Sequence, residues 1–168
     1  MDSLDKATQL TRRRYDRASR FYDRMEGLLE KRGFRDWREQ LWSMVHGSRI
    51  LEVGVGTGKN LPYHPAGTGI IAIDLSSGML RRARGRAAQS AARLELFEMD
   101  AQHLEFPDAS FDAVVATFVF CSVPDPVKAL LDCETGLATR RRGLSARACP
   151  PFSASTKTAH EARQSLCG

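Results

Sequence analysis

At 168 residues and 42% hydrophobic composition, the chain is sized for one domain with a real core. The net charge of +5 invites a nucleic-acid reading, but residues 134–168 hold six Lys or Arg against two Glu, and the run Arg140–Arg142 and its neighbours carry no interleaved aromatics. The rest of the chain is nearly balanced at 19 basic and 18 acidic residues, so nucleic acid is not an expected partner. No apolar run reaches the ~18 residues needed to cross a bilayer, the first residues lack a signal core, and Cys121, Cys133, Cys149 and Cys167 show neither Cys-x-x-Cys spacing nor paired histidines.

These exclusions point to a cytoplasmic protein in a reducing compartment, with no metal site and room left for contact with a membrane surface. Residues 1–47 read as helical. Tyr15, Phe21, Tyr22, Met25, Leu28 and Leu29 recur at near-helical spacing, and a second run carries Phe34, Trp37, Leu41 and Trp42. These helices are expected to cover a cleft as a lid, although an ordinary core-facing stripe has the same spacing.

The core is expected over residues 48–133. Ile50 to Val53 form a short buried strand that carries an acid, Glu52, and breaks into three alternating glycines, Gly54, Gly56 and Gly58. Glycine allows a sharp turn and a close ligand approach, so this reads as a strand-to-helix nucleotide loop. A charged Glu52 between Leu51 and Val53 needs a partner if buried. A dinucleotide loop requires Gly-x-Gly-x-x-Gly; Lys59 stands where its third glycine belongs, and this disfavours NAD.

A second buried strand, Gly69 to Asp74, ends in an acid at roughly the 20-residue interval of a ribose-binding carboxylate. Capping of the helix that starts at Ser76 is its alternative role. Arg93 to Met99 alternates as a third strand leading to Asp100 and Ala101, and Asp100 could equally be a solvated turn acid. Phe111 to Val119 is an apolar fourth strand running into Cys121-Ser-Val-Pro-Asp-Pro126, after which a helix begins. None of His46, His64 and His103 is a convincing general base; packing or surface roles are expected. Residues 134–168 scatter Leu137, Leu144, Phe152 and Leu166 without period, and a disordered basic tail is expected there.

In type and order, the motif Glu52-x-Gly-x-Gly-x-Gly58, the strand-end Asp74, Asp100-Ala101 and the segment Phe106 to Pro126 resemble the class I S-adenosylmethionine-dependent methyltransferases. The resemblance covers roughly residues 15–131. It implies a Rossmann-like α/β methyltransferase fold, here truncated after the fourth strand because the family's Arg-Pro-Gly-Gly turn and later strands are not found after Leu131. It also implies S-adenosylmethionine as cofactor, with Tyr22, Glu52, Gly54, Gly56, Gly58, Asp74, Leu75, Asp100, Ala101 and Thr117 around it. Glu52 would meet the methionine ammonium directly or through water, Asp74 the ribose, Asp100 and Ala101 the adenine, and Tyr22 would belong to the lid. Residues 52–63 and 118–126 look like the bacterial phosphatidylethanolamine N-methyltransferase branch, beside the ubiquinone and menaquinone C-methyltransferases. The implied activity is methyl transfer to a small or lipid-like acceptor, either a phospholipid amine or a quinol ring. An inactive cofactor-binding fragment is the alternative.

Overall fold

In the computed structural model, residues 3–29 and 34–137 are described, with side-chain positions for 3–22 and 34–137. Helix α1 spans Ser3–Leu29 and α2 spans Arg35–Ser43; they are followed by β1 (Arg49–Val53), β2 (Gly69–Asp74), α3 (Ser77–Gly85), β3 (Arg93–Glu98), β4 (Ala113–Ala116) and α4 (Pro126–Gly136). The four strands form one parallel sheet in the order β3-β2-β1-β4. Parallel strands must be joined by crossovers, and these place packed layers on both faces.

Alternation along β1 and β2 divides the core. Ile50 and Ile70 face a layer with Leu41 and Trp42 of α2 and Leu80 and Ala83 of α3. Leu51, Val53, Ile71 and Ile73 face the other way, against Ala101, Phe111 and Ala129 and Cys133 of α4. Local chemistry sets the helix starts. Ser76 caps α3 by accepting from Met79 N, and Asp125 caps α4 by accepting from Lys128 N, with Pro126 in the first turn where its missing N–H costs nothing.

The chain runs from β1 outward to β2 and β3, then returns across to β4 on the other side of β1. The carboxyl ends of β1 and β4 therefore form a topological switch point, where open α/β sheets leave a crevice. Over this crevice lies α1, held against α3 by close approach: a Cβ on Gly78 would meet Ser19 Oγ at 2.8 Å and Asp16 Cα at 3.2 Å. Asp16 Oδ1 accepts from Ser76 Oγ at 2.6 Å and Gly78 N at 2.9 Å, so a side chain of α1 binds the amino end of α3.

Two expected boundaries shift. The fourth strand is shorter than the apolar run, because Phe118 turns out of extended geometry at φ 56°. Helix α4 continues through Glu134 to Gly136, and Leu137 is buried and forms a parallel bridge with Phe111. Part of the expected tail is thus ordered and bridges Phe111, just before β4, while among the described residues β4 itself pairs only with β1. The expectation of disorder from 138 onward lies outside the described residues.

Candidate functional site

The crevice is a cleft whose empty space of about 870 Å³ includes open solvent. Its floor is the loop after β1. Gly54, Gly56 and Gly58 all have positive φ (73°, 57° and 85°), but what surrounds them differs. A Cβ on Gly54 would meet Val119 Cγ2 at 2.5 Å, and one on Gly58 would meet Leu61 Cδ1 at 3.0 Å and Ala83 Cα at 3.1 Å. At Gly56 nothing lies within 4 Å. Gly54 and Gly58 therefore permit protein packing, whereas Gly56 leaves its backbone bare to the cleft. Gly54 and Gly56 line the cleft and Gly58 does not.

Asp74 sits beside this bare backbone. Its Oδ2 accepts from Gly56 N at 2.9 Å and its Oδ1 from Ser76 N at 2.8 Å, so it braces the loop rather than capping α3, a task Ser76 performs. Burial raises the Asp74 carboxyl above its usual 3.8 against the pull of those two backbone bonds, and the nearby charges of Glu52 and Asp16 push the same way. Leu75, Asp100, Ala101 and Thr117 line the same cleft, and so does Tyr22 from α1. Asp100 Oδ1 accepts from Gln102 N at 2.9 Å, so it is both a turn acid and a wall of the cleft. The buried Gln102 then ties this turn to Thr8 of α1 and to Asp125 N at the start of α4.

Glu52 is placed differently from the expectation. It is fully buried, does not line the cleft, and has both oxygens engaged by protein. Asn60 Nδ2 donates to Oε1 at 2.7 Å, and His64 Nε2 lies 3.0 Å from Oε2. A carboxylate only accepts, so His64 donates through Nε2, while its Nδ1 lies 2.9 Å from Ser90 Oγ. The ring also packs on Trp42, with centroids 4.6 Å apart. The partner of the buried acid is this Asn60–His64 pair, and His64 is a packed structural histidine, as its sequence context suggested.

Sequence reasoning missed Asn60 and Arg38. Asn60 Nδ2 also donates to Thr117 Oγ1 at 2.9 Å, and its Oδ1 accepts from Arg38 Nη1 at 2.6 Å. Arg38 lines the cleft at 5% exposure, with its guanidinium 5.5 Å from the centre of the Phe118 ring. A signal was present: Arg38 falls on the α2 stripe of Leu41 and Trp42, where a charge is out of place unless it has a task. Tyr15 joins Tyr22 on the wall, its hydroxyl bonded to Ser122 Oγ. No group of three or more potential metal ligands occurs among the described residues.

The Methyltransferase domain family matches residues 51–139. Among curated relatives, a phosphatidylethanolamine N-methyltransferase of Cereibacter sphaeroides is 45% identical over 84 residues, which cover 49% of this chain and 41% of that protein. A demethylmenaquinone methyltransferase of Renibacterium salmoninarum is 34% identical over 134 residues, 77% of this chain and 55% of that protein. The chain thus spans about half the length of these relatives or less. A Thermotoga maritima crystal structure, titled as a SAM-dependent methyltransferase and possible histamine N-methyltransferase, superposes with TM-score 0.59 at 26% identity, covering 76% of this chain and 57% of that one. The fold is also that of a Haemonchus contortus phosphoethanolamine N-methyltransferase solved with phosphoethanolamine and S-adenosylhomocysteine, at TM-score 0.67 and 18% identity, covering 82% of this chain and 31% of that one.

Proposed function

The chain belongs to the class I S-adenosylmethionine-dependent methyltransferase family, and from that premise we propose that its cleft binds S-adenosylmethionine and directs its methyl group to an apolar, membrane-derived acceptor. The observation that carries this reading is the pairing of Gly56 with Asp74: backbone open to a ligand, braced by a strand-end carboxylate that faces the same cleft. The bound cofactor supplies a methyl group on a cationic sulfur.

The protein's part is binding and orientation. Asp74 accepts from ribose hydroxyls, Leu75 and Ala101 flank the adenine, Asp100 accepts at its polar edge, and Thr117 lies at the carboxyl end of β4 facing the acceptor. Tyr15 and Tyr22 on α1 close the cleft against water. Methyl transfer from a sulfonium is an in-line displacement, so alignment and desolvation supply the acceleration, and an amine acceptor needs no protein base.

Two features favour an apolar acceptor. Phe118 lines the cleft, and the rings of Phe34 and Trp37 pack on it with centroids 5.2 and 5.4 Å away. The outer face of α1 exposes Leu10 and Phe21 among Arg13, Arg14, Arg17 and Arg20, a composition suited to an anionic membrane surface. Transfer of a labelled methyl group to phosphatidylethanolamine or to a demethylated quinol in mixed micelles tests the reading, and calorimetric titration comes first. NAD binding more tightly than S-adenosylhomocysteine would refute it.

A further inference from the structure

We infer that the outer face of α1, continued by cations of α3, docks on an anionic lipid surface, and that this docking and nucleoside binding in the cleft strengthen each other. The inference rests on the reading that the cleft takes S-adenosylmethionine, and adds to it a regulation by the surface from which an apolar acceptor would come.

Charge on α1 is segregated by face. At about 3.6 residues per turn, Arg13, Arg14, Arg17 and Arg20 share about a third of the circumference with Leu10 and Phe21. All four arginines are exposed, as are Leu10 at 51% and Phe21 at 60%, whereas Asp5 and Asp16 lie outside that arc. The near-balance of charge over residues 1–133 thus conceals a local excess. Helix α3 extends it: Arg82 Nη2 donates to the Arg20 carbonyl at 3.2 Å, Arg81 stands near Asp16, and Arg84 is exposed one turn further along. A bilayer with anionic headgroups offers phosphates to the guanidinium groups and acyl chains to the two apolar residues between them. A duplex phosphate backbone would meet the charge and leave both apolar side chains in water.

The coupling follows from how α1 is held. Among its described side chains, residues 3–22, none joins either apolar core cluster and only Ser19 is buried. Its ties are polar: Asp16 to Ser76 and Gly78, Gln102 Nε2 to Thr8 Oγ1 at 3.1 Å, and the Tyr15 hydroxyl to Ser122 Oγ. An element with few buried apolar contacts opens at low free energy, so α1 has a docked and a released arrangement that two ligands can bias together. Docked, it presents Thr11, Tyr15 and Tyr22 to the cleft on one side and sets its arginines beside those of α3 on the other. A nucleoside favours that arrangement through the cleft wall, and a charged surface favours it through the summed cations of two helices. Each therefore favours the state that the other binds.

The test titrates the full chain with S-adenosylhomocysteine alone, with phosphatidylcholine vesicles, and with phosphatidylcholine vesicles containing phosphatidylglycerol. Sedimentation with each vesicle is measured with and without the nucleoside. Phosphatidylglycerol vesicles should tighten the nucleoside about fivefold or more, and the nucleoside should tighten vesicle binding by the same factor, as linkage requires. Phosphatidylcholine alone should do neither. The double variant Arg13→Glu, Arg17→Glu should lose both sedimentation and the vesicle-induced gain while keeping its vesicle-free nucleoside affinity, which reports that it is folded. Phosphatidylglycerol that leaves nucleoside affinity unchanged overturns the coupling; so does a weakened affinity, which would mean that lipid strips α1 from the cleft. Equal sedimentation with both vesicle types, or undiminished sedimentation of the double variant, overturns the outer face as the docking surface. Tighter binding to a duplex oligonucleotide than to the phosphatidylglycerol vesicles would make nucleic acid the partner and overturn the lipid assignment. Should the double variant fail to fold, the vesicle comparison on the unmodified chain still decides. Nucleoside binding indifferent to vesicles overturns this inference alone, whereas sedimentation with phosphatidylglycerol vesicles and no nucleoside binding under any condition overturns the cofactor reading as well.

Discussion

Gly54 and Gly56 are two residues apart, share positive φ, and should respond to alanine in opposite ways. A left-handed conformation costs a non-glycine residue about 1–2 kcal/mol at either position. At Gly54 the new Cβ would also sit 2.5 and 2.7 Å from Val119 Cγ2 and Cβ, and Cβ is fixed directly to the backbone of this half-buried residue. Overpacking of that kind adds about 1–3 kcal/mol. A domain of this size loses about 2–4 °C of Tm per kcal/mol, so Gly56→Ala should melt a few degrees low and Gly54→Ala at about twice that deficit or more. Ligand affinity should show the reverse order. The methyl of Gly56→Ala points where no protein atom lies within 4 Å, into the space assigned to the cofactor, and S-adenosylhomocysteine should bind at least about tenfold more weakly, or about 1.4 kcal/mol. Thermal unfolding and calorimetric titration of both variants supply the comparison. Equal Tm losses, or a Gly56→Ala variant with an unchanged Kd, would refute the division of the loop into a packing glycine and a binding glycine.

Asp74 gives a pH dependence of defined sign. Burial holds its carboxyl above 3.8 in the free protein and the ionised form is the stronger acceptor for ribose hydroxyls, so affinity should be complete above that raised value and fall as pH drops through it; Asp74→Asn should flatten the profile. Asp16 works in the opposite sense: burial alone would raise its carboxyl, but bonds from Ser76 Oγ and Gly78 N, with Arg12 and Arg81 nearby, hold it below 3.8. Its contribution to docking α1 is present above the ordinary carboxylate range and lost as pH falls toward the lower folded value, so hydrogen exchange in α1 should rise with acid earlier than in β1, and Asp16→Asn should show that exchange at neutral pH. Cys133 is buried and its thiol is pushed up to about 12 mainly by burial, while Cys121 is exposed, so iodoacetamide with peptide mapping at neutral pH should label the Cys121 peptide and spare that of Cys133 in the folded chain. On α1, Phe21→Ser should weaken sedimentation with vesicles containing phosphatidylglycerol and leave S-adenosylhomocysteine affinity unchanged.

Much of this architecture was legible in the chain because it rests on local pattern. The β-branched runs at Ile50–Val53 and Gly69–Ile73 are buried on both faces, and a strand of that kind carries its signature whatever packs on it. Strand-end acids and alternating glycines were legible for the same reason, since each answers a requirement of its own backbone. What escaped depended on distant partners. The fate of Glu52 turns on Asn60 and His64, eight and twelve residues along, and the meaning of Gly58 turns on Ala83, a contact that no spacing rule encodes. Arg38 was hidden by the same logic. Its place on the apolar stripe of α2 marked it as unusual, but its partner Asn60, 22 residues away, could not be read from that position. Periodicity ended the helix at Cys133 because Glu134-Thr-Gly136 carries no large apolar residue, yet Gly136 is buried close to Phe111, where a small residue is what the packing takes.

The Glu52 network also explains why stability and binding should be hard to separate at this site. Burying a carboxyl group is costly unless its oxygens are hydrogen-bonded, and removing Asn60 or His64 would leave one of them without its donor. Glu52, Asn60 and His64 are all buried, and they join β1 to the loop that follows the glycines. An apolar trio of similar volume would satisfy the core here without the desolvation cost. Such a trio would not hold the Asn60 amide with its oxygen toward Arg38, nor fix the loop that presents Gly56 beside Asp74. The acid is thus explained by what it orients. Its burial costs the fold free energy, and in exchange the loop that presents Gly56 beside Asp74 has a geometry set before any ligand binds.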